Sequence, residues 1–157
     1  MSQLKNGVEI LLNSNDPNDY KPIPAVVADV IEQGAFLYWD TTANKAKKFA
    51  PADTTENQTN QNNIFAIAGA GKKAGDSEVA AQLVCTVLMD STDVTMGMPV
   101  VIKYNATTLK YSAQRGASYN TAFDPDITLT RDFAISAAEG NEAGGRARIS
   151  INGRARL

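Results

Sequence analysis

The chain reads as an all-β protein, a β-sandwich or β-barrel-like domain carrying an extended N-terminal arm. Three observations predict this. From Gly34 onward the residues fall into short runs rich in β-branched and aromatic side chains, separated by clusters of Gly, Asn, Asp and Thr. No stretch keeps apolar residues at helical spacing long enough to make a long helix. A chain of 157 residues with one cysteine is large enough for one domain, and it must be held by packing or assembly, because Cys85 has no second thiol to pair with.

The elements follow in order. Residues 13–24 combine three prolines with turn-forming Asn and Asp, a mixture that neither a helix nor a central strand tolerates, so residues 1–25 are expected to form the arm and residues 26–157 the β domain. Within the arm, Val8-Glu9-Ile10-Leu11-Leu12 is an apolar patch that either packs back on the domain or adds as a strand to a neighbour. Ala25 to Glu32 has room for one short turn. Ala35 to Asp40, the turn Thr41 to Lys45 and then Ala46 to Phe49 form a hairpin. Residues 51–63 contain no aliphatic larger than Ala and read as a solvated loop. Ile64 to Ala68 and Val79 to Met89 are the next strands, joined by the glycine-rich turn Gly69 to Gly75, in a total of about ten strands.

Sliding the chain on itself reveals internal similarity. An offset of 63 carries Gly34 onto Gly97 and Leu37-Tyr38-Trp39 onto Val100-Val101-Ile102, and an offset of 68 carries Phe65-Ala66-Ile67 onto Phe133-Ala134-Ile135. Two pseudo-repeats, about 34–90 and 97–157, are therefore expected. The second offset also lays Val79 to Met89 on Ala147 to Leu157 and, being even, preserves the faces. Ala147, Ile149, Ile151, Gly153, Ala155 and Leu157 then face a core, while Arg148, Ser150, Asn152, Arg154 and Arg156 face outward.

Composition narrows the chemistry. Histidine is absent, which removes the commonest general base near neutral pH, the commonest neutral metal ligand and every Ser-His or Cys-His nucleophile. Carboxylates lie in polar loops with no apolar segment around them to raise a pKa, so no catalytic residue, metal or cofactor is expected and the chain is read as a non-enzyme. Cys85 sits in an apolar run, as a small core residue does. Gly69-Ala70-Gly71-Lys72-Lys73 lacks the distal glycine and the Ser or Thr of a phosphate loop and reads as a turn. Asn13 to Asp19 and Asp124-Pro125-Asp126 lack the central Gly and terminal Glu of a calcium loop.

Charge is close to balanced at −2, but residues 141–157 hold four arginines against Glu142. Arg146, Arg148, Arg154 and Arg156 fall on one face of an extended segment, where they either clamp carboxylates of a partner or keep an outer strand solvated. No aromatic residues interleave with them, which disfavours nucleic acid, and no apolar run approaches the roughly 18 residues of a membrane span. The start lacks the pattern of a signal peptide, so synthesis in a cytoplasm is expected. The candidate partner-binding residues are Val8, Ile10, Leu11 and Leu12 of the arm with those four arginines.

Three short motifs also bear a family resemblance. They are the Gly34-led strand running into Asp40-Thr41-x-x-x-Lys45, the strand Ile64-Phe65-Ala66-Ile67-Ala68, and Ala74-Gly75-Asp76 leading into Val79 to Val87. Together they resemble the head decoration, or cement, proteins of tailed phages. The similarity covers residues 30–90 well and 97–157 weakly, as a second copy of a pattern commonly single, and Ala66 stands where that pattern usually has Gly. The resemblance implies a β-tulip-like domain, often a homotrimer, on the capsid exterior between major capsid proteins, with an N-terminal arm as anchor. It carries over no individual contact residue. The expected function is thus a structural virion protein that binds and stabilises an assembled capsid. The rival is a host-surface or glycan-binding module of a phage fibre, using Trp39 or Tyr119.

Overall fold

The computed structural model describes residues 3–11, 20–52, 54–92, 94, 96–97, 99–115, 135–137 and 145–153. They form an all-β domain of two packed sheets with one short helix. The strands are β1 (Glu9–Leu11), β2 (Tyr20–Pro24), β3 (Phe36–Asp40), β4 (Lys45–Lys48), β5 (Ile64–Ala68), β6 (Glu78–Gln82), β7 (Val84–Thr92), β8 (Val100–Asn105), β9 (Lys110–Arg115), β10 (Ile135–Ala137) and β11 (Arg146–Asn152); helix α1 spans Thr54–Gln61.

Both sheets use the same strand order. The first runs β2-β6-β5-β3-β4, and its two ends meet through a parallel bridge between Ala25, just after β2, and Ala46 of β4. The second runs β10-β11-β7-β9-β8, and its ends meet through the bridge Pro99 to Ser136. Followed round from β7, the second ring reads β7-β11-β10-β8-β9 and returns to β7 through the parallel pairs Ser91 to Ala113 and Thr92 to Gln114. Each strand of the first ring thus has a counterpart five strands later, and in both rings the one parallel contact joins the same two positions. Closing a sheet on itself removes exposed edges, and that is what each ring gains.

The two hairpin turns match atom for atom. Asp40 Oδ1 accepts the N–H groups of Thr42 and Ala43 (2.8 and 3.0 Å). Asn105 Oδ1 accepts those of Thr107 and Thr108 (2.9 and 3.1 Å). Four residues later both turns need a left-handed backbone, supplied by Asn44 (φ 56°) and Leu109 (φ 61°).

Four sequence expectations change. The described part of residues 1–25 is no arm. Val8 and Ile10 lie in the core, and β1 pairs antiparallel with β7 (Glu9 to Leu88, Ile10 to Val87, Leu11 to Thr86), so the apolar patch packs back on its own domain. Asn6 holds it there by accepting the Tyr111 N–H on its carbonyl (2.8 Å) and donating its side-chain amide to the Gln33 carbonyl (2.9 Å). β1 is thereby a sixth strand of the second sheet, paired with β7. The proline-rich end of the arm is β2. The Ala25 N–H donates to the Ser77 carbonyl (2.9 Å), and alternation from there turns residues 22 and 24 away from β6, so Pro22 and Pro24 forfeit no ladder bond with it.

The strand expected over Val79 to Met89 is cut at Leu83, with β6 in one sheet and β7 in the other. The structural repeat consequently runs from β2 to β6 and from β7 to β11, about 20–82 and 84–152, rather than from Gly34 and Gly97. Residues 54–61 are a helix and not a loop, started by Glu56, whose carboxylate accepts the Ala52 N–H (2.9 Å). Ala25 to Glu32 does hold one short turn, closed by the Asp29 N–H donating to the Val26 carbonyl (3.0 Å).

One core serves both rings. Tyr111 meets Phe36 edge-on (5.1 Å, 63°), and its hydroxyl donates to the Phe49 carbonyl (2.7 Å). Gly153 donates its N–H to the Leu83 carbonyl (2.8 Å), and a Cβ there would stand 1.5 Å from the Phe65 carbonyl oxygen, so the backbone at Gly153, just after β11, approaches β5 more closely than a side chain allows. Cys85 is buried among these residues.

Candidate functional site

Over Arg146–Asn152 the final strand obeys the alternation expected of it, and Ala155 and Leu157 lie outside the described residues. Ala147, Ile149 and Ile151 are buried, while Arg148 and Asn152 are exposed and Arg146 and Ser150 partly so. β7 alternates in step through the pairing Arg146 to Asp90, Arg148 to Leu88, Ser150 to Thr86 and Asn152 to Val84. β1 continues two of these rows on the far side of β7, with Glu9 opposite Leu88 and Leu11 opposite Thr86. The outer face of the second sheet therefore carries Glu9, Leu11, Val84, Thr86, Leu88, Arg146 and Arg148 side by side.

The fold brings Leu11 of the first group of candidates and Arg146 and Arg148 of the second into one surface. Glu9 and Arg146, 137 positions apart, form an ion pair at 3.4 Å, and the Arg146 guanidinium also donates to the Leu88 carbonyl (3.3 Å). Arg146 is thus spent partly on tying β11 to β1 through a half-buried pair. Leu11 and Arg148 lie on the outward rows, whereas Val8 and Ile10 are core residues with no surface to offer a partner. Leu12, Arg154 and Arg156 lie outside the described residues, as do Tyr119, Asn13 to Asp19 and Asp124 to Asp126. Alternation alone marked Arg146 and Arg148. Nothing local marked Val84, Thr86 and Leu88 as their neighbours, because cross-strand register is not written in either strand.

Other motifs resolve into structural roles. Lys72 of the glycine-rich turn is only 3% exposed, and its ammonium donates to the carbonyls of Asp29 (2.6 Å), Lys73 (3.2 Å) and Val27 (3.3 Å). Trp39 packs edge-on against Phe65 (6.2 Å, 77°) and lines the core from its rim. Asp40 pairs with Lys47 at 2.7 Å. The hydrogen bond from Lys47, with those of the turn, holds the carboxyl below its ordinary range and raises the lysine. Burial pushes the Tyr111 and Tyr38 hydroxyls up. Among the described residues no group of three or more Cys, Asp or Glu is placed to hold a metal ion, and no helix is long and apolar enough to cross a membrane.

Comparison with known proteins finds no matching family model, no matching curated protein and no matching solved structure.

Proposed function

We propose that this chain is a structural virion protein that binds the exterior of an assembled phage capsid and stabilises it, with the major capsid protein as partner. The observation that carries the reading is the outer face of the second sheet. There Leu11, Val84 and Leu88 share one plane with Arg146 and Arg148. An outer sheet face that mixes apolar side chains with guanidinium groups matches a broad protein surface better than a small molecule, for which a concave pocket is the usual solution. The closed rings support the same reading, since a protein that stays on a capsid surface at high local concentration must not offer edges for self-propagating strand addition. The motif resemblance and the histidine-free composition point the same way.

The fibre-module alternative needs an aromatic face open to sugars, and Trp39 is engaged with Phe65 instead.

The test compares purified heads with and without the protein. Decorated heads withstand a higher temperature or a stronger osmotic shock, and the double variant Leu11→Asp with Arg148→Glu no longer co-sediments with them. Equal robustness of bare and decorated heads sinks the proposal.

A further inference from the structure

Two turns of the same geometry differ at a residue that the geometry alone does not explain. Asp40 and Asn105 cap their turns alike, and four residues on each chain segment enters the left-handed region, at Asn44 (φ 56°) in the first ring and Leu109 (φ 61°) in the second. Asparagine tolerates that backbone, whereas the Cβ of a leucine is pressed against the following carbonyl oxygen. Packing does not offset the strain, because Leu109 stands outside the core at 57% exposure. Strain retained at an exposed apolar side chain calls for a role outside the fold.

Leu109 forms part of a cleft of about 470 Å³ between β4 of the first ring and the β8–β9 turn of the second, with Lys5, Asn6, Glu32, Lys48 and Tyr104 around it. The lining is mainly apolar, and the volume is that of an ordinary small-molecule site. Its walls are set beforehand. Tyr104 lies against Tyr111 (4.8 Å, 51°), and Asn6 is held by the Tyr111 N–H (2.8 Å) and the Gln33 carbonyl (2.9 Å). None of this lining is imposed by the duplicated turn, since the positions matching Tyr104, Thr108 and Leu109 in the first ring are Trp39, Ala43 and Asn44, and Trp39 packs on Phe65.

The charges of the cleft do not cancel. Lys48 pairs with Glu32 at 2.7 Å, donates to the Tyr104 hydroxyl (3.4 Å) and lies over the Tyr104 ring, so the one carboxylate of the lining is already matched. Lys5 is left over, exposed and in no ion pair among the described residues. Lys110 adds a second such cation nearby, its Cβ and Cδ lying 3.7 and 3.9 Å from where a Cβ of Gly7 would stand.

We infer, independently of the capsid reading, that this cleft binds a small organic carboxylate with an aromatic or branched aliphatic body, the body against Leu109 and Tyr104 and the carboxylate at the Lys5 ammonium. A single negative charge answers the cation that the lining leaves unmatched. An apolar body suits walls whose polar groups are engaged elsewhere: the Asn6 amide with Gln33 and the Val8 N–H (3.3 Å), the Tyr104 hydroxyl with Lys48. A cationic ligand would meet Lys5 and Lys48 with like charge, and a wholly apolar one would cover the Lys5 ammonium without pairing it.

The experiment is a titration of the full, ¹⁵N-labelled chain with benzoate, 2-naphthoate and 4-methylpentanoate, followed by amide chemical shifts, with the corresponding amides as uncharged controls. At least one carboxylate is expected to shift the amides of Asn6, Gly7 and Thr108 to Tyr111 saturably below ~5 mM, and its amide to bind about fivefold more weakly or not at all. Lys5→Glu and Leu109→Asn each weaken that binding about fivefold or more. Leu109→Asn also relieves the turn, so it raises the thermal midpoint of the unliganded protein by roughly 2–4 °C while weakening the ligand, opposite effects that simple loss of fold does not produce. No saturable shift with any of the three carboxylates, equal binding of the amides, or variants that bind as the wild type does overturns the inference. A lowered midpoint for Leu109→Asn overturns it too, because the leucine then serves the fold.

Discussion

Gln61 and Ile102 exchange two hydrogen bonds of 2.9 Å, the glutamine Nε2 donating to the isoleucine carbonyl and the isoleucine N–H donating to Oε1. A primary amide offers the same donor and acceptor as a peptide group, so one side chain at the end of α1 serves as a strand neighbour for β8. This explains why a wholly polar octapeptide is helical here: its last residue completes a ladder. Gln61→Leu leaves a buried N–H and a buried carbonyl unpaired and is expected to destabilise the domain by about 2–4 kcal/mol in urea unfolding. A cost under about 0.5 kcal/mol shows that water replaces the amide without loss.

Gly153→Ala tests the close approach of the two sheets. The added methyl collides with the backbone of Phe65 rather than with a side chain that can swing aside. The expected cost is about 3 kcal/mol, at the upper end of overpacking effects, seen as a lower urea midpoint at unchanged m-value. Gly75→Ala is the control for a glycine with open space around it, where only its left-handed backbone is affected.

Acid should loosen one hairpin before the other. Asp40 has a depressed pKa because Lys47 and the turn N–H groups bind its ionised form. Its contribution is therefore complete above the unfolded carboxylate value of about 3.9 and is lost as pH falls through the lower folded value. Asn105 does the same capping without titrating. Amide exchange between pH 5 and 2 should thus rise in β3–β4 relative to β8–β9, and Asp40→Asn should abolish the difference. Equal pH response of both turns contradicts this account.

Lys72→Met removes an ammonium that serves three carbonyls while keeping most of the aliphatic stem. The Asp29 and Lys73 carbonyls lose a donor in a buried site, so a loss of about 2–4 kcal/mol is expected. The amides of the Val27–Ile31 loop should exchange faster than those of the β8–β9 hairpin. Unchanged protection of the loop shows that Lys72 does not hold it.

Much of this protein is legible residue by residue. The hairpin at Asp40 to Lys45, the strand Ile64–Ala68 and the inward run Ala147, Ile149, Ile151 follow from turn chemistry and a two-residue period. The repeated strand order was not legible in this way: the offset of 63 that pairs Gly34 with Gly97 misses by two residues the match of Asp40 with Asn105 (105 − 40 = 65), and β2 and β7, the strands that open each ring, share little beyond their position. Prolines misdirected the reading of residues 20–24, because whether a proline harms a strand depends on which side its missing N–H faces, and only pairing decides that.

Of the candidate surface, the sequence alone determined which side of the last strand is wet, since alternation is a property of the strand itself. Only the tertiary structure decided that β1 lies beside β7, that Glu9 meets Arg146, and that the run from Val79 to Met89 breaks at Leu83 into two sheets. Those outcomes depend on contacts between segments far apart in the chain. The free energy of such contacts comes from burying faces against one another, and no single segment carries it.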